Sequence, residues 1–480
     1  MLTPLEELLT KIECERVCGR RDRLVSGITC DSRRVKPGDL FVAIDGNKHD
    51  GHQYILEAVR KGALAVVGER LCIVPPSVTY ITVSDSRRAL AELACAFYGF
   101  PTQKLFTVGV TGTNGKTSIT CLAASVLGRE KTELSNTVIN ALERGWENTT
   151  PGPLEIQKLA HDALQAGKEN LVLEVSAHAL SQGRVQGVDF DVAVFTNLTH
   201  DHFDYYQGFD DYLEAKLKLF ASLKQSAFAI INRDDAYANE FIKSTRAQIL
   251  TYGLSHEADL WADGIRLGPE GSCFLAHTPR GFIPIRTKLA GLFYVYNILA
   301  AIGVGLTKGI SLKQIEAGIE AVNRIEGRFE QYLTKDGVRV VIDFAHSPDS
   351  LEKMIRMLKA FYSRVITVFG CGGESDRLKR PIMGKISGQL SDYTIITSDN
   401  PKSEDPQTII REIESGIKSL KAPYEAIGDR RAAICRALQL AKPGDAVLIA
   451  GKGHERTQIF KNQEIEFNDK EFLRQKGILA

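Results

Sequence analysis

The sequence predicts an α/β protein built on parallel sheets, because short apolar runs alternate with helical segments along most of its 480 residues. Four such runs in the middle of the chain are predicted strands, at residues 105–110, 170–175, 191–196 and 227–232. Four more follow in the last third, at residues 338–343, 364–369, 392–397 and 445–450. Runs that are apolar throughout are typical of strands covered by helices on both faces.

A chain of 480 residues is long enough for about three domains. We predict a small α/β domain over residues 1–100, which carries no nucleotide motif. A central domain should span residues 101–326, beginning at Pro101 after a Tyr-Gly-Phe turn. Residues 254–287 break the alternation of strands and helices with short runs of alternating apolar and polar residues, and we expect them to form an antiparallel flap. A third domain should span residues 327–480.

Composition and charge exclude several classes of protein. The formal net charge is +1, so nothing suggests nucleic acid or an anionic membrane as a partner. Hydrophobic content of 44% and charged content of 25% are ordinary for globular proteins. No apolar run is long enough to span a bilayer, and the first residues do not resemble a signal peptide. We therefore expect a cytoplasmic protein without a membrane span, and we expect a monomer.

The strongest motif is a glycine-rich loop that follows the first central strand. Residues 109–117 read Gly-Val-Thr-Gly-Thr-Asn-Gly-Lys-Thr and lead into a predicted helix at 118–127. Such a loop can wrap around phosphate, with Lys116 reaching the β- and γ-phosphates and the Thr117 hydroxyl holding Mg²⁺. The spacing is narrower than the strict P-loop pattern, which would place Gly where Val110 stands. The alternative is a strand–helix turn that binds nothing.

Three further side chains in the central segment are candidates for chemistry. Glu174 ends an apolar strand, where a buried carboxylate is costly unless it is compensated, and it could hold Mg²⁺ or cap a helix. His202 lies in a His- and Asp-rich stretch, although Mg²⁺ prefers oxygen ligands. Lys216 lies beside the apolar face formed by Leu213, Leu217 and Phe220, and the pattern alone favours an exposed lysine.

Polar clusters also follow each predicted strand of the third segment. They read Ala-His-Ser-Pro at 345–348, Gly-Cys-Gly-Gly at 370–373, Ser-Asp-Asn-Pro at 398–401 and Gly-Lys-Gly-His-Glu at 451–455. Ligands of open α/β sheets bind beyond the carboxyl ends of the strands. The sequence therefore predicts a site between the central and third sheets.

Taken in order, these motifs resemble the Mur ligase family over essentially the whole chain. The motifs are Gly-Thr-Asn-Gly-Lys-Thr at 112–117, Glu-Val-Ser-Ala-His at 174–178, Glu-Ala-Lys at 214–216, Gly-Arg-Phe-Glu at 327–330, and the four clusters above. The resemblance implies a UDP-binding first domain, a P-loop-type central ATPase domain and a Rossmann-like third domain. It also implies an ATP-dependent amide ligase, with Mg²⁺ as cofactor, that adds a diamino acid to UDP-MurNAc-L-Ala-D-Glu through an acyl phosphate.

The resemblance also assigns residues to each substrate. The catalytic residues would be Lys116, Glu174, His202 and Lys216. ATP would be held by Gly112, Thr113, Asn114, Gly115, Lys116, Thr117, Asn297, Arg328, Asp343 and His346. The UDP-linked substrate would meet Ser32, Asn47, Lys48, Thr149, Thr150, Ser176, Gln182 and Arg184. The metal ligands would be Thr117, Glu174, His202 and Lys216, the last as a carbamate.

The pocket for the incoming amino acid is where the sequence departs from the family pattern. The resemblance places Ser375, Asp399, Asn400, Lys402, Gly451 and Glu455 there. Ser375 and Lys402 stand where diaminopimelate-adding relatives have Arg, and neither holds a carboxylate bidentately as Arg does. The first expectation is meso-diaminopimelate, with lysine, ornithine or another diamino acid as rivals. Tyr294, near the expected adenine position, stands where relatives commonly have Asn.

Two other functions are compatible with parts of the sequence. Folylpolyglutamate synthases have a similar central domain, but that family lacks the first domain, which carries Asp-Ser-Arg at 31–33 here. A nucleotide switch without bond-forming chemistry would leave the Glu174, His202 and Lys216 group unexplained.

Overall fold

The computed structural model describes residues 2–46, 49–201, 203 and 205–479. Its strands form three main sheets of five, nine and six strands, each confined to one of the predicted segments. The expectations of an α/β fold with parallel sheets are confirmed. Asn47, Lys48 and His202 lie outside the described residues. Among the described residues, no helix is both long and apolar enough to cross a membrane.

The first segment contains a five-stranded sheet in the order β2-β7-β6-β5-β4, parallel except for its edge strand β2. Its strands are β1 (Thr3–Pro4), β2 (Arg16–Cys18), β3 (Leu24–Val25), β4 (Gly27–Thr29), β5 (Asp39–Val42), β6 (Ala65–Gly68) and β7 (Thr79–Thr82). Its helices are α1 (Leu5–Leu9), α2 (Ile55–Arg60) and α3 (Ser86–Phe97). The strands β1 and β3 pair separately.

The central segment contains the nine-stranded sheet, in the order β16-β15-β14-β13-β12-β11-β8-β10-β9. Its strands are β8 (Phe106–Thr111), β9 (Thr132–Ser135), β10 (Asn170–Glu174), β11 (Val192–Phe195), β12 (Phe228–Asn232), β13 (Gln248–Gly253), β14 (Leu260–Gly268), β15 (Gly271–Thr278) and β16 (Gly281–Thr287). The first six are parallel, and the predicted antiparallel flap is confirmed as β14–β16, which extends the same sheet.

Helices cover both faces of this sheet, which is why its central strands are fully buried. They are α4 (Lys116–Val126), α5 (Thr137–Arg144), α6 (Pro153–Gln165), α7 (Ala177–Ser181), α8 (Phe209–Ala221), α9 (Ala238–Ser244), α10 (Leu292–Thr307) and α11 (Leu312–Glu320). The helix α10 is almost entirely buried, and it packs beside α4.

The third segment contains a six-stranded sheet in the order β17-β18-β22-β19-β20-β21, parallel except for β17. Its strands are β17 (Glu330–Leu333), β18 (Arg339–Asp343), β19 (Val365–Phe369), β20 (Tyr393–Ile396), β21 (Tyr424–Ala426), β22 (Ala446–Ala450), and the separate hairpin β23 (Thr457–Phe460) and β24 (Gln463–Glu466). The helices are α12 (Pro348–Lys359), α13 (Lys379–Leu390), α14 (Pro406–Ile417), α15 (Arg430–Leu440) and α16 (Asp469–Gln475).

Candidate active site

The glycine-rich loop lies between the end of β8 and the start of α4, as the sequence predicts. Gly112 has φ of 147° and Gly115 has φ of 87°, in the region that favours glycine. A Cβ on Gly112 would collide with Thr196 Oγ1, and one on Gly115 would lie 2.7 Å from Asn297 Oδ1. The backbone therefore runs close to β11 on one side and to α10 on the other.

The ammonium of Lys116 folds back over this loop. Its Nζ donates to the carbonyls of Gly112 at 3.0 Å and Thr113 at 2.8 Å, and it lies 4.0 Å from Glu174 Oε1. Burial lowers the pKa of Lys116, and the neighbouring Glu174 opposes that shift. A half-buried cation whose partners are mostly carbonyls is suited to receive an anion such as phosphate.

Glu174 ends β10 and is only 3% exposed. Its Oε2 accepts hydrogen bonds from Thr117 Oγ1 at 2.8 Å and from both the backbone N–H and Oγ1 of Thr137 at 3.1 Å. Thr137 begins α5, so the carboxylate also satisfies one N–H in the first turn of a helix that Asn136 caps. The helix-partner reading of Glu174 is therefore confirmed, and its role as a metal ligand stays a prediction.

Thr117 and Glu174 together offer the oxygen donors that Mg²⁺ prefers, so the residues present fit that ion. Among the residues that the structure describes, no group of three or more His, Cys, Asp or Glu side chains could hold a metal. The third predicted protein ligand, His202, lies outside them. The donor set thus leaves room for phosphate oxygens and water, which is how Mg²⁺ is usually bound beside a nucleotide.

Lys216 is buried, at 1% exposure, and the expectation of an exposed lysine is wrong. Its Nζ donates to the carbonyl of Gly112 at 2.9 Å and lies 4.3 Å from the centre of the Tyr212 ring. Desolvation and the charge of Lys116 hold the pKa of Lys216 well below its usual range. The predicted apolar face of α8 is confirmed, because Leu213 and Leu217 are half-buried and pack with Phe220 in one core cluster, and Lys216 is buried beside it.

The third segment contributes groups to the same loop. Arg328 Nη2 donates to Thr117 Oγ1 at 3.1 Å, and its guanidinium lies 4.5 Å from the Phe344 ring centre. Asp343 is buried at the end of β18 and accepts from the backbone N–H groups of Phe329 and Ala345, each at 2.7 Å. Burial raises its pKa.

Two of the predicted ATP contacts lie at the borders of the loop. Asn297 lies on α10 against Gly115. His346 Nε2 lies 3.9 Å from Asp201 Oδ2, and burial lowers the pKa of this histidine. Asn297 and Arg328 therefore adjoin the loop directly, from the central and the third segment respectively, and Asp343 holds the backbone next to Arg328.

A second group of predicted residues adjoins Glu174. Thr150 Oγ1 donates to the Glu174 carbonyl at 2.8 Å and accepts from the backbone N–H of Ser176 at 2.9 Å. Arg184 donates to Gln182 Oε1 at 2.7 Å and to the Thr150 carbonyl at 3.0 Å. Thr149 Oγ1 donates to Thr137 Oγ1 at 3.1 Å, since the Thr137 hydroxyl proton is directed at Glu174. Burial lowers the pKa of Arg184 but leaves a guanidinium at all ordinary pH values.

Of the residues predicted to bind the UDP-linked substrate from the first segment, the structure describes Ser32, and its side chain contacts its own segment. Ser32 is 7% exposed and donates to Glu57 Oε2 at 3.2 Å, within its own segment. Its predicted companions Asn47 and Lys48 lie outside the described residues. The role of the first segment in substrate binding therefore stays a prediction.

A third group lies at the carboxyl ends of β20 and β22. Asn400 Nδ2 donates to Glu455 Oε2 at 2.7 Å, and Lys452 Nζ donates to the same oxygen at 2.8 Å. Lys452 also lies 3.9 Å from Asp399 Oδ1, and a Cβ on Gly451 would collide with Asp399 Oδ2. Burial raises the pKa of Glu455, an effect that Lys452 opposes.

Ser375 and Lys402 lie on two loops that adjoin this group. The loops are joined by the hydrogen bond from the Gly373 N–H to the Asn400 carbonyl, at 2.8 Å. Ser375 Oγ donates to the Gly372 carbonyl at 2.9 Å. Lys402 has φ of 53°, and its backbone N–H donates to the Ile459 carbonyl at 2.9 Å.

Several residues that complete these groups were missed by sequence reasoning. Thr137 and Tyr212 carried no motif, and nothing in their spacing ties them to Glu174 or Lys216. Lys452 lies inside the Gly-Lys-Gly-His-Glu cluster and could have been included, since a lysine flanked by glycines at a strand end is placed to be buried.

Family models match the chain in three consecutive parts. The Mur ligase family catalytic domain matches residues 24–98, the Mur ligase middle domain residues 110–305, and the Mur ligase glutamate ligase domain residues 327–453. The matched ranges follow the three sheets described above.

Curated and solved relatives agree with these matches. The UDP-N-acetylmuramoyl-L-alanyl-D-glutamate–2,6-diaminopimelate ligase of Syntrophomonas wolfei is 43% identical over 475 residues, which cover 97% of each chain. A solved structure of a ligase with that name is 32% identical, has a TM-score of 0.69, and is matched over 99% of this chain and 98% of its own. The folylpolyglutamate synthase of Mycobacterium tuberculosis has a TM-score of 0.61 at 16% identity over 75% of this chain and 91% of its own, which is a likeness of fold alone.

Proposed function

The chain belongs to the Mur ligase family, and from that membership we propose that it joins 2,6-diaminopimelate to the D-Glu γ-carboxylate of UDP-MurNAc-L-Ala-D-Glu at the expense of ATP. The observation that carries this proposal is the full-length similarity to ligases of that name. The residues around the glycine-rich loop support it, because Lys116, Thr117 and Arg328 supply the charges and donors that a transferring phosphoryl group needs.

The chemistry begins with activation of a carboxylate, because a carboxylate oxygen is too poor a leaving group for direct amide formation. A γ-carboxylate oxygen of D-Glu attacks the γ-phosphorus of ATP, the bond from that phosphorus to the β,γ-bridging oxygen breaks, and ADP leaves. Lys116 and Arg328 stabilise the negative charge on the transferring group. Mg²⁺, held by Thr117 and Glu174, would neutralise phosphate charge when it is bound.

The second step forms the amide bond. The amine nitrogen attacks the acyl carbon, the carbon–oxygen bond to phosphate breaks, and the nitrogen loses a proton as phosphate leaves. Asp399, Asn400 and Glu455 would hold the far ammonium and carboxylate of the diamino acid, since Glu455 is a carboxylate and Asn400 can both donate and accept. Thr150, Ser176 and Arg184 would position the muramoyl dipeptide next to Glu174.

We also propose that Lys216 is used as a carbamate. The support is geometric, because the ammonium groups of Lys116 and Lys216 both donate to the carbonyl of Gly112, which crowds two cations in a desolvated place. Reaction of the neutral amine with carbon dioxide would replace the second cation by an anion. That anion would face Lys116 and any metal bound at Thr117.

Phosphate release tests the proposed reaction directly. The wild-type protein is incubated with ATP, Mg²⁺ and UDP-MurNAc-L-Ala-D-Glu, together with meso-diaminopimelate, L-lysine or L-ornithine. Release that requires meso-diaminopimelate supports the proposal and means that Ser375 and Lys402 are compensated substitutions. Release with lysine or ornithine instead would mean that the enzyme adds that amino acid. Release with none of the three would contradict the proposal that UDP-MurNAc-L-Ala-D-Glu is the acceptor substrate.

A further inference from the structure

The hydroxyl of Tyr294 connects the central and third segments beside the glycine-rich loop. Tyr294 lies on α10, is 1% exposed, and donates to the backbone carbonyl of Arg328 at 2.9 Å. This hydrogen bond therefore links α10, which packs beside the helix that follows the phosphate loop, to the first residues of the third segment.

The peptide between Arg328 and Phe329 is held from both sides. Its carbonyl accepts from Tyr294 in the central segment, and its N–H donates to Asp343 Oδ2 in the third segment at 2.7 Å. Phe329 has φ of 49°, a left-handed conformation that a bulky residue rarely adopts. Such a conformation persists only where the surroundings impose it, and these two hydrogen bonds are what impose it here.

The side chain of Arg328 leaves the backbone at the same place. Its Nη2 donates to Thr117 Oγ1 at 3.1 Å, its Nη1 donates to the Gly327 carbonyl at 3.2 Å, and its guanidinium stacks on Phe344. The hydrogen bond from Tyr294 holds the backbone carbonyl of Arg328, so the direction in which the Arg328 guanidinium points depends on it.

We propose that Tyr294 is a positioning residue for ATP, and that it acts by holding the Arg328–Phe329 peptide so that the Arg328 guanidinium meets the nucleotide phosphates at Thr117. This inference rests on the proposed use of ATP. Tyr294 also lines a cavity of about 180 Å³ together with Lys288, Leu289 and Arg328. Its ring is therefore near any ligand in that cavity, whereas its hydroxyl is committed to the backbone.

Tyr252 supplies a matched comparison for a purely structural role. It is likewise 1% exposed, and its hydroxyl donates to a backbone carbonyl, that of Phe195, at 3.0 Å. Tyr252 on β13 and Phe195 on β11 both belong to the nine-stranded sheet, so this hydrogen bond does not connect two segments. Replacing either tyrosine by phenylalanine removes one buried hydrogen bond and keeps the ring.

The test compares Tyr294→Phe with Tyr252→Phe. We expect Tyr294→Phe to weaken binding of Mg²⁺-ADP, measured by calorimetry, about fivefold, as the loss of one hydrogen bond predicts. Tyr252→Phe should leave that affinity unchanged, while both variants lower the melting temperature by similar amounts. Equal nucleotide affinity in the two variants would overturn the inference.

A double-mutant cycle identifies the route of the effect. If Tyr294 acts through Arg328, Tyr294→Phe should have little further effect on nucleotide affinity in an Arg328→Ala background. Fully additive losses would contradict the inference. Nucleotide binding is measured without the amino acid or the nucleotide sugar, so a failed phosphate-release assay with the wild-type protein would count against the proposed reaction and leave this test intact.

Discussion

At the scale of single residues, the site is dominated by two lysines, the half-buried Lys116 and the buried Lys216, that share one acceptor. Lys116 and Lys216 both donate to the Gly112 carbonyl, at 3.0 and 2.9 Å. Two like charges held close together in a desolvated site repel each other, and burial lowers the pKa of each. The arrangement becomes favourable when one lysine carries a negative group or when an anion lies between them. A phosphate would satisfy Lys116, and a carbamate would satisfy Lys216.

The carbamate proposal predicts the behaviour of Lys216→Ala. We expect this variant to lose at least about 100-fold in ligase activity, because a group that stabilises charge in the reaction is removed. A small carboxylate such as acetate, which fits the space left by the side chain, should restore part of the activity. The measurement is phosphate release by the Lys216→Ala variant, with and without the added carboxylate.

Lys218→Ala is the matched control, since Lys218 is exposed on the same helix and should tolerate the change. Full activity of Lys216→Ala without rescue would contradict the carbamate assignment.

At the scale of elements, the eight predicted strands of the central and third segments agree with observed ones to within a residue or so at each end. Strand β8, for example, spans Phe106–Thr111 where 105–110 was predicted. These strands are buried on both faces, so their apolar runs are continuous and begin and end at polar turns. A local pattern is enough to find them.

The face of α8 was harder to predict, for a physical reason. Leu213 and Leu217 pack on the core as the periodicity predicts, but the helix also packs beside the glycine-rich loop, where it buries the polar Lys216. Hydrophobic periodicity records only contacts with apolar neighbours, so it gives no sign of this second contact. The contact of Asn400 with Glu455 could not be assembled from periodicity for the same reason, because Asn400 follows β20 whereas Lys452 and Glu455 follow β22.

The glycine-rich loop predicts a strong effect of Gly112→Ala. An added Cβ would collide with Thr196 Oγ1, and φ of 147° is unfavourable for alanine. Since the loop must shift to make room, we expect nucleotide affinity to fall at least about tenfold, as measured by calorimetry with Mg²⁺-ADP.

Gly208→Ala is the control, because nothing lies within 4 Å of an added Cβ there and its φ of 167° is ordinary extended backbone. Unchanged affinity of Gly112→Ala would mean that the loop does not contact the nucleotide.

At the scale of the whole molecule, the central and third segments share an apolar cluster and also meet through polar contacts around the glycine-rich loop. Asn114 Nδ2 donates to Asp349 Oδ2 at 2.8 Å, and His200 Nε2 lies 3.1 Å from Asp376 Oδ2. Arg328 reaches Thr117 from the same side. These contacts involve the loop that is proposed to bind phosphate, so nucleotide binding and the arrangement of the two segments should depend on each other.

Asp349→Ala tests that dependence. The hydrogen bond from Asn114 to a carboxylate is lost, and an arrangement that it stabilises should become about tenfold less populated. We expect kcat to fall while the KM for the nucleotide sugar is unchanged, because its proposed contacts lie within the first and central segments. Small-angle scattering should show a smaller decrease in the radius of gyration on addition of Mg²⁺-ADP than in the wild-type protein. Asp336→Ala, at an exposed position of the third segment, is the control. A wild-type decrease that persists unchanged in Asp349→Ala would mean that this contact does not couple the segments.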